Sequence, residues 1–459
     1  MSRIQPARRV AADVLAAVRE SDAYANLLLP SRIREARLSG PDAGFATELV
    51  YGTLRMQGYY DRVIASAARR EPARIDAPVL DVLRLGTHQL LTLRTAPHAV
   101  IDESVELVRR ARKASAAGFV NGVLRTVSRD SADTWRTRVL KGLTGTDRLA
   151  TEFSHPAWIV AALGDALALE DAGGELAALL AADNAPPQVA YAALPGLADA
   201  GELAREGRYL PGRLSPVALG STGGDPALLP EVAAGRVRVQ DEGSQLAALA
   251  LTRVRPVRPG ERWLDVCAGP GGKAALLAAE AARGGASLVA NEVVPARAGL
   301  VRNALAPFAD APDAPVVVEG DGRRFADGRE CFDRILLDAP CTGLGALRRR
   351  PEARWRKSPE DLDELVRLQA ELLDAAVAAL APEGVLAYVT CSPHPDETRA
   401  QVDAALARHP ELRAIDTPEV LDRVVMAQLG LPAATSAQLW PHRHGTDAMF
   451  IQLLARVGS

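Results

Sequence analysis

One stretch restricts the fold of this chain more than any other. Residues 263–267 are a short apolar run, Gly269-Pro270-Gly271-Gly272 interrupts it, and an Ala/Leu-rich helical pattern follows to about residue 282. A strand that ends in a glycine turn and opens a helix is the first half of a βαβ unit. The alternation continues downstream. Residues 287–290, 316–318, 332–337 and 385–389 read as further strands. Ser358-Pro359-Glu360-Asp361 reads as a helix start, with a Ser N-cap, Pro at the first position and an acid at the third. This pattern predicts a doubly wound parallel sheet over 236–459, with ligands taken at the carboxyl ends of its strands.

The remainder cannot belong to the same sheet. At 459 residues the chain calls for two or three domains. Residues 1–140 carry helical stripes, such as Ala11, Val14, Leu15 and Val18, then Ile101, Val105 and Val108, then Phe119, Val120, Val123, Leu124 and Val127. A boundary is expected in 130–150, which is polar and without strong periodicity. Residues 141–235 read as a linker and a small α+β subdomain, broken at Ala185-Pro186-Pro187 and Gly220-Ser221-Thr222-Gly223-Gly224.

Charge is distributed unevenly. Residues 1–150 hold 24 Lys+Arg against 16 Asp+Glu, a net of +8, which leaves −11 for the remainder of a chain whose total is −3. A basic module joined to an acidic one hints at nucleic-acid binding through the first; an Arg-rich solvated helical surface would look the same. No apolar run is long enough to span a bilayer, and residues 1–20 lack the apolar core of a signal peptide, so a cytoplasmic protein without membrane attachment is expected. Cys267, Cys331, Cys341 and Cys391 show no paired spacing, so neither a metal site nor a disulfide framework is expected.

The glycine loop by itself leaves its ligand open. A P-loop is excluded, because its spacing is absent and Ala274 stands where the magnesium-binding hydroxyl would be. A dinucleotide fits Gly269, Gly271 and Ala274 loosely, with Glu292 as the ribose acid. S-adenosylmethionine also fits; it would want Glu292 after the second strand and Asp321 after the third. Lys273 closes the loop and is one of only four lysines, with Lys113, Lys141 and Lys357.

Two cysteines follow strand ends: Asp338-Ala339-Pro340-Cys341 and Thr390-Cys391-Ser392. Thiols delivered to the ligand end of a sheet suit covalent chemistry. Carbon-5 of cytosine is a poor nucleophile, and a thiolate adding to carbon-6 corrects that. A second group must then assist removal of the carbon-5 proton and release of the thiol. A carboxyl such as Asp338 would stabilise the adduct at the base edge. Cys267 and Cys331 read instead as small buried hydrophobes.

These motifs resemble the Nop/Sun family of S-adenosylmethionine-dependent RNA cytosine-5 methyltransferases. Residues 265–273 resemble its cofactor loop, Pro340-Cys341-Thr342-Gly343 its Pro-Cys motif and Thr390-Cys391-Ser392 its Thr-Cys motif. Arg349-Arg350-Pro351, Trp355 and Gln369 are similar to the segment between them, and Val239-Gln240-Asp241 with Ser244-Gln245 to the lead-in. Phe153-Ser154-His155-Pro156-Ala157-Trp158 and Asn184-Ala185-Pro186-Pro187 resemble the bacterial Sun/Fmu-type 16S rRNA methyltransferases, which begin with an all-helical NusB-like RNA-binding domain.

The resemblance implies that Cys391 is the nucleophile and that Cys341 assists proton removal and release. Asp338 would hold the cytosine edge and border the cofactor. Cys267, Ala268, Gly269, Pro270, Gly271, Gly272 and Lys273, with Glu292 and Asp321, would hold S-adenosylmethionine. The implied partner is 16S rRNA, and a monomer is expected. Two positions depart from the family pattern: Asp447-Ala448-Met449-Phe450 replaces an Asp-Gly-Phe-Phe run, and Asn291 precedes Glu292 where Asp is frequent. Two alternatives remain at this stage. A nicotinamide-dependent oxidoreductase would leave both strand-end thiols unexplained. A non-catalytic RNA-binding assembly factor would leave the thiols and Lys273 without a task.

Overall fold

The computed structural model describes residues 4–21, 24–329 and 331–457. Residues 1–3 of the N-terminal stretch lie outside the described residues. The chain divides into two compact units. One holds 1–164, 174–186 and 347–356; the other holds 165–173, 187–346 and 357–459. The stretch 141–235 is shared between them.

The first unit is helical. Its main helices are α1 (Pro6–Glu20), α2 (Ala25–Glu35), α3 (Gly40–Arg55), α4 (Gln57–Ala68), α5 (Ala77–Leu91), α6 (Pro97–Arg110) and α7 (Ala117–Val127). In α1 the buried residues Ala7, Val10, Ala11, Val14 and Val18 recur at three- and four-residue spacing, which is one face of a helix. They join Leu49, Val63, Leu83, Val108 and Leu124 in one core. Two further helices, Ala132–Leu140 and Gly145–Glu152, lie where no pattern was expected. They bury only Trp135, Leu140 and Thr151, too few to create a readable period. The segment 347–356 joins this unit through Arg354. Its fully buried guanidinium donates to the carbonyls of Arg55, Ser154 and Asp183 and to Asn184 Oδ1.

The second unit contains two sheets. The smaller is antiparallel in the order β2-β3-β1-β4, from β1 (Ala190–Ala193), β2 (Tyr209–Pro211), β3 (Ala218–Ser221) and β4 (Val237–Val239). The larger contains β5 (Arg262–Asp265), β6 (Ser287–Glu292), β7 (Val316–Glu319), β8 (Phe332–Asp338), β9 (Leu380–Thr390), β10 (Leu412–Ala414), β11 (Ala437–Gln438) and β12 (Phe450–Arg456). Its order is β10-β12-β9-β8-β5-β6-β7, with β11 paired to β12.

Strands β5 to β9 are parallel, as the alternation predicts. The edge differs from the all-parallel expectation, because β12 runs antiparallel to β9 and β10 antiparallel to β12. Helices Arg399–Arg408, Thr417–Asp422 and Pro441–His444 lie between β9 and β12, with β10 and β11 among them, and the chain enters β12 running opposite to β9. The strand order reverses between β5 and β8, which sets the ligand crevice at their carboxyl ends. A buried arginine braces this centre. Arg334 in β8 donates to Glu261 Oε2 (2.8 Å) and to the carbonyls of Leu251, Thr252, Arg255 and Pro256. The helix start at Ser358 is as expected: Ser358 accepts from the Asp361 N–H, and Asp361 completes the capping box.

Candidate active site

Sheet register places the two thiols together. Asp338 of β8 pairs with Val389 of β9, so the two strands end level and their loops emerge side by side. Cys341 Sγ and Cys391 Sγ lie 3.4 Å apart. The loops are interlocked: the Gly345 N–H donates to the Cys391 carbonyl and the Ala448 N–H to the Gly345 carbonyl, both over 2.9 Å. Gly345 has no room for a side chain, since a Cβ there would lie 2.0 Å from the Ala448 carbonyl oxygen. The departing run 447–450 therefore packs on the thiol loops. Asp447 is buried, and its N–H donates to Asp241 Oδ1.

The two sulfurs are electrostatically unequal. The hydrogen bond from Cys341 holds the Cys391 thiol below its ordinary value; burial and the Asp338 charge oppose this, and the Lys273 ammonium assists it. The same hydrogen bond, with burial and the charges of Cys391, Glu397 and Asp338, pushes Cys341 well up. Of the two thiols, Cys391 is therefore the easier to deprotonate. Lys273 Nζ donates to Asp338 Oδ2 over 2.8 Å. Burial works against the lysine charge, but Asp338 outweighs it and holds the ammonium above its usual value.

The glycine loop lies at the end of β5. Its Gly271 has φ +103°, and a Cβ there would sit 2.5 Å from Ala304 Cβ. At Gly269 a Cβ would meet Glu292 Oε2 at 2.2 Å. Glu292 is 2% exposed and accepts from the Gly269 N–H (3.0 Å) and the Val294 N–H (2.9 Å). Its carboxylate closes the loop and retains acceptor capacity. Asn291 Nδ2 bridges the Val266 and Gly320 carbonyls, which ties β5, β6 and the segment after β7 together. Asp321 follows that segment, half-exposed; it caps the turn at Arg323 and pairs with the Arg323 guanidinium.

Buried polar atoms at this loop lack protein partners. Asp265 is 1% exposed, and neither carboxylate oxygen has a partner of full hydrogen-bond geometry. Burial, then the Asp338 charge, pushes its carboxyl up to about 8, with Lys273 and the Cys267 N–H opposing. Gln240 Oε1 is likewise buried without a partner, and its side chain lies against Gly272. Orphaned polar atoms beside a glycine cradle and a helix start fit a polar organic ligand.

Of the expected cofactor residues, Gly269 in the 267–273 loop is tied directly to Glu292, while the Asp321 carboxylate is bonded to Arg323 instead. Cys267 packs against the core as expected, and burial holds its thiol well up. Cys331 does not: it is exposed, on the turn before β8, where only the strand that follows is drawn inside. Asp265, Gln240 and Glu397 were assigned no task from sequence. Asp265 had a signal, its place at a strand end before a glycine loop; Glu397 had none. In the basic stretch Arg109, Arg110, Arg112 and Lys113, which adds to the charge of residues 1–150, Arg109, Arg110 and Lys113 pair with Glu106, Asp13 and Asp76, which lowers the net field there. Among the described residues no group of side chains has the makings of a metal site, and no helix is long and apolar enough to cross a membrane.

Comparison with known proteins agrees with this architecture. Residues 253–455 match the family described as 16S rRNA methyltransferase RsmB/F, and residues 5–129 match the NusB family. A Mycobacterium tuberculosis protein named "Putative methyltransferase Rv1407" is 48% identical, covering 99% of this chain and 97% of its own. Ribosomal RNA small subunit methyltransferase B of Pseudomonas putida is 33% identical, covering 98% and 99%. The crystal structure of PH0851 shares the fold, with TM-score 0.80, 21% identity and 99% of each chain covered. The fold and the matches define the class: an RNA-methylating enzyme with an N-terminal NusB domain and a Rossmann-like methyltransferase domain. Within that class, the chain belongs to the ribosomal RNA small subunit methyltransferase B family.

Proposed function

We propose that this enzyme methylates carbon-5 of a cytosine in 16S rRNA through a covalent Cys391 adduct, with S-adenosylmethionine as donor. The observation that carries the reading is the pair of sulfurs 3.4 Å apart at the switch-point crevice, beside the Lys273–Asp338 pair. Residues 267–273, Glu292, Asp321 and the orphaned carboxylate of Asp265 would hold the donor. When bound, S-adenosylmethionine supplies a methyl group that an electron-rich carbon can accept.

The chain's own residues then divide the work. Cys391 Sγ bonds to carbon-6 of the base, and the electron pair released makes carbon-5 nucleophilic. Asp338 faces the amino edge with the oxygen not taken by Lys273. Once Cys391 is alkylated its charge is gone, and with it a main force holding the proton on Cys341. Cys341 loses that proton to water and takes the one on carbon-5. The carbon-5–carbon-6 double bond re-forms, the bond to Cys391 breaks, and the thiolate returns.

Capture of RNA by the basic NusB unit, in the cytoplasm and by a monomer, completes the proposal. The domain division proposed is 1–140, 141–235 and 236–459. The test is transfer of labelled methyl to unmodified 16S rRNA, followed by mapping of 5-methylcytosine. Transfer to another atom or base, or tight nicotinamide binding with no transfer, would end this reading.

A further inference from the structure

Glu397 lies one short turn beyond the Thr-Cys loop, and its side chain is fully buried. Its carboxylate spans the site. Oε1 accepts from the Thr342 N–H (2.7 Å) and from Gln369 Nε2 (3.0 Å), and Oε2 accepts from the Thr342 hydroxyl. Gln369 Nε2 also donates to the Pro340 carbonyl over 2.9 Å. The Thr342 hydroxyl lies 3.1 Å from Ser392 Oγ, and the Tyr388 hydroxyl donates to the Glu397 carbonyl over 2.8 Å. Residues on both sides of Cys341 and the residue after Cys391 are thus fastened to one carboxylate or its immediate partners.

A buried carboxylate is an expensive way to fasten two loops, because its desolvation must be offset by those three donors. An amide would serve as a clamp. What an amide lacks is charge, and the thiol between the clamped residues is the one whose proton decides which sulfur attacks. The charged and titratable groups facing this thiol are Cys391, Asp338, Glu397 and the Tyr388 phenol; Lys273 and Asp447 act on it through Cys391. We infer that Glu397 is a positioning residue that fixes the Cys341 thiol against Cys391 and, through its charge, selects Cys391 as the resting thiolate. The inference rests on the two-thiol reading above and adds to it a carboxylate that acts on one thiol of the pair.

The test separates the two. In a Cys391→Ser background, the rate of Cys341 alkylation by iodoacetamide is followed against pH, resolved from Cys267 and Cys331 by peptide mass spectrometry. Adding Glu397→Gln should speed Cys341 alkylation at fixed pH by about threefold or more, because a like charge beside the thiolate is removed. Glu397→Asp, which keeps the charge, should leave the rate near that of the parent. With Cys391 present, Glu397→Gln should lower kcat for RNA methylation with KM for RNA unchanged. Alkylation unmoved by Glu397→Gln in a protein that melts normally overturns the inference. If Glu397→Gln does not fold, Glu397→Asp decides: an altered Cys341 alkylation rate overturns the charge argument, and a parental rate with reduced kcat supports it. If alkylation moves as expected but the unaltered enzyme forms no 5-methylcytosine, the function of Glu397 stands and the proposed reaction falls.

Discussion

Lys273 Nζ and Asp338 Oδ2 meet at 2.8 Å, joining the first turn of the helix after the glycine loop to the end of the strand that carries the Pro-Cys loop. One hydrogen bond therefore connects the two halves of the crevice, and its cation also favours the Cys391 thiolate.

Lys273→Met should raise the pH at which methylation becomes fast, since Cys391 loses a favourable cation while the Asp338 charge remains. It should also cost about 3 kcal/mol of stability, the usual result of leaving one member of a largely buried pair alone. A single-turnover pH profile with an unmoved acidic limb would refute the electrostatic part.

The two thiols should fail at different steps. Cys391→Ser should form no adduct, because a hydroxyl is far less acidic than a thiol. Cys341→Ser should permit attack and methyl transfer but stall at release, leaving a covalent protein–RNA complex. On denaturing gels with labelled RNA, a protease-sensitive shifted band should appear for the Cys341 variant alone. A band from the Cys391 variant instead would mean that the two functions are exchanged.

Asp265 makes stability fall with rising pH. Its carboxyl is raised in the folded protein to about 8 from an ordinary value of 3.8, so the native state holds the proton more tightly than the unfolded chain. That contribution is complete below the ordinary value and is lost as pH rises through about 8. Without ligand, the melting temperature of the parent protein should drop between pH 6 and 9 more than that of Asp265→Asn. The same substitution should weaken S-adenosylmethionine binding in calorimetry. Parallel melting curves for the two proteins would show that Asp265 is not the titrating group.

Gly269→Ala should disturb the cradle by about 1–3 kcal/mol, since the added Cβ would lie 2.2 Å from Glu292 Oε2 and 2.9 Å from Arg297 Nε. Calorimetry should show donor affinity reduced about tenfold or more, with the melting temperature changed less. Unchanged affinity would place the ligand elsewhere.

Local pattern carries much of this architecture. The helical stripes of 1–127, the strand–glycine–helix order at 263–282 and the capping box at Ser358 are all interactions between near neighbours, so they are legible in one dimension. The loop residues 267–273 and Glu292 are likewise brought together by one βαβ step. The antiparallel edge at β12 escaped that reading, because strand direction depends on where the chain returns and not on its alternation. So did the helices at 132–152, which bury too few residues to leave a period.

The sequence by itself determined the chemistry available: two thiols, a lysine and a set of carboxylates at strand ends, on a sheet that takes ligands there. Only the tertiary structure decided which of them meet. The level ends of β8 and β9 set the sulfurs 3.4 Å apart, and the fold buries Asp265 with no partner of full hydrogen-bond geometry and Glu397 with three donors. Distance and desolvation govern each of these outcomes, and both arise from segments as far apart in the chain as Lys273 and Asp338, or Thr342 and Glu397, which no local pattern relates.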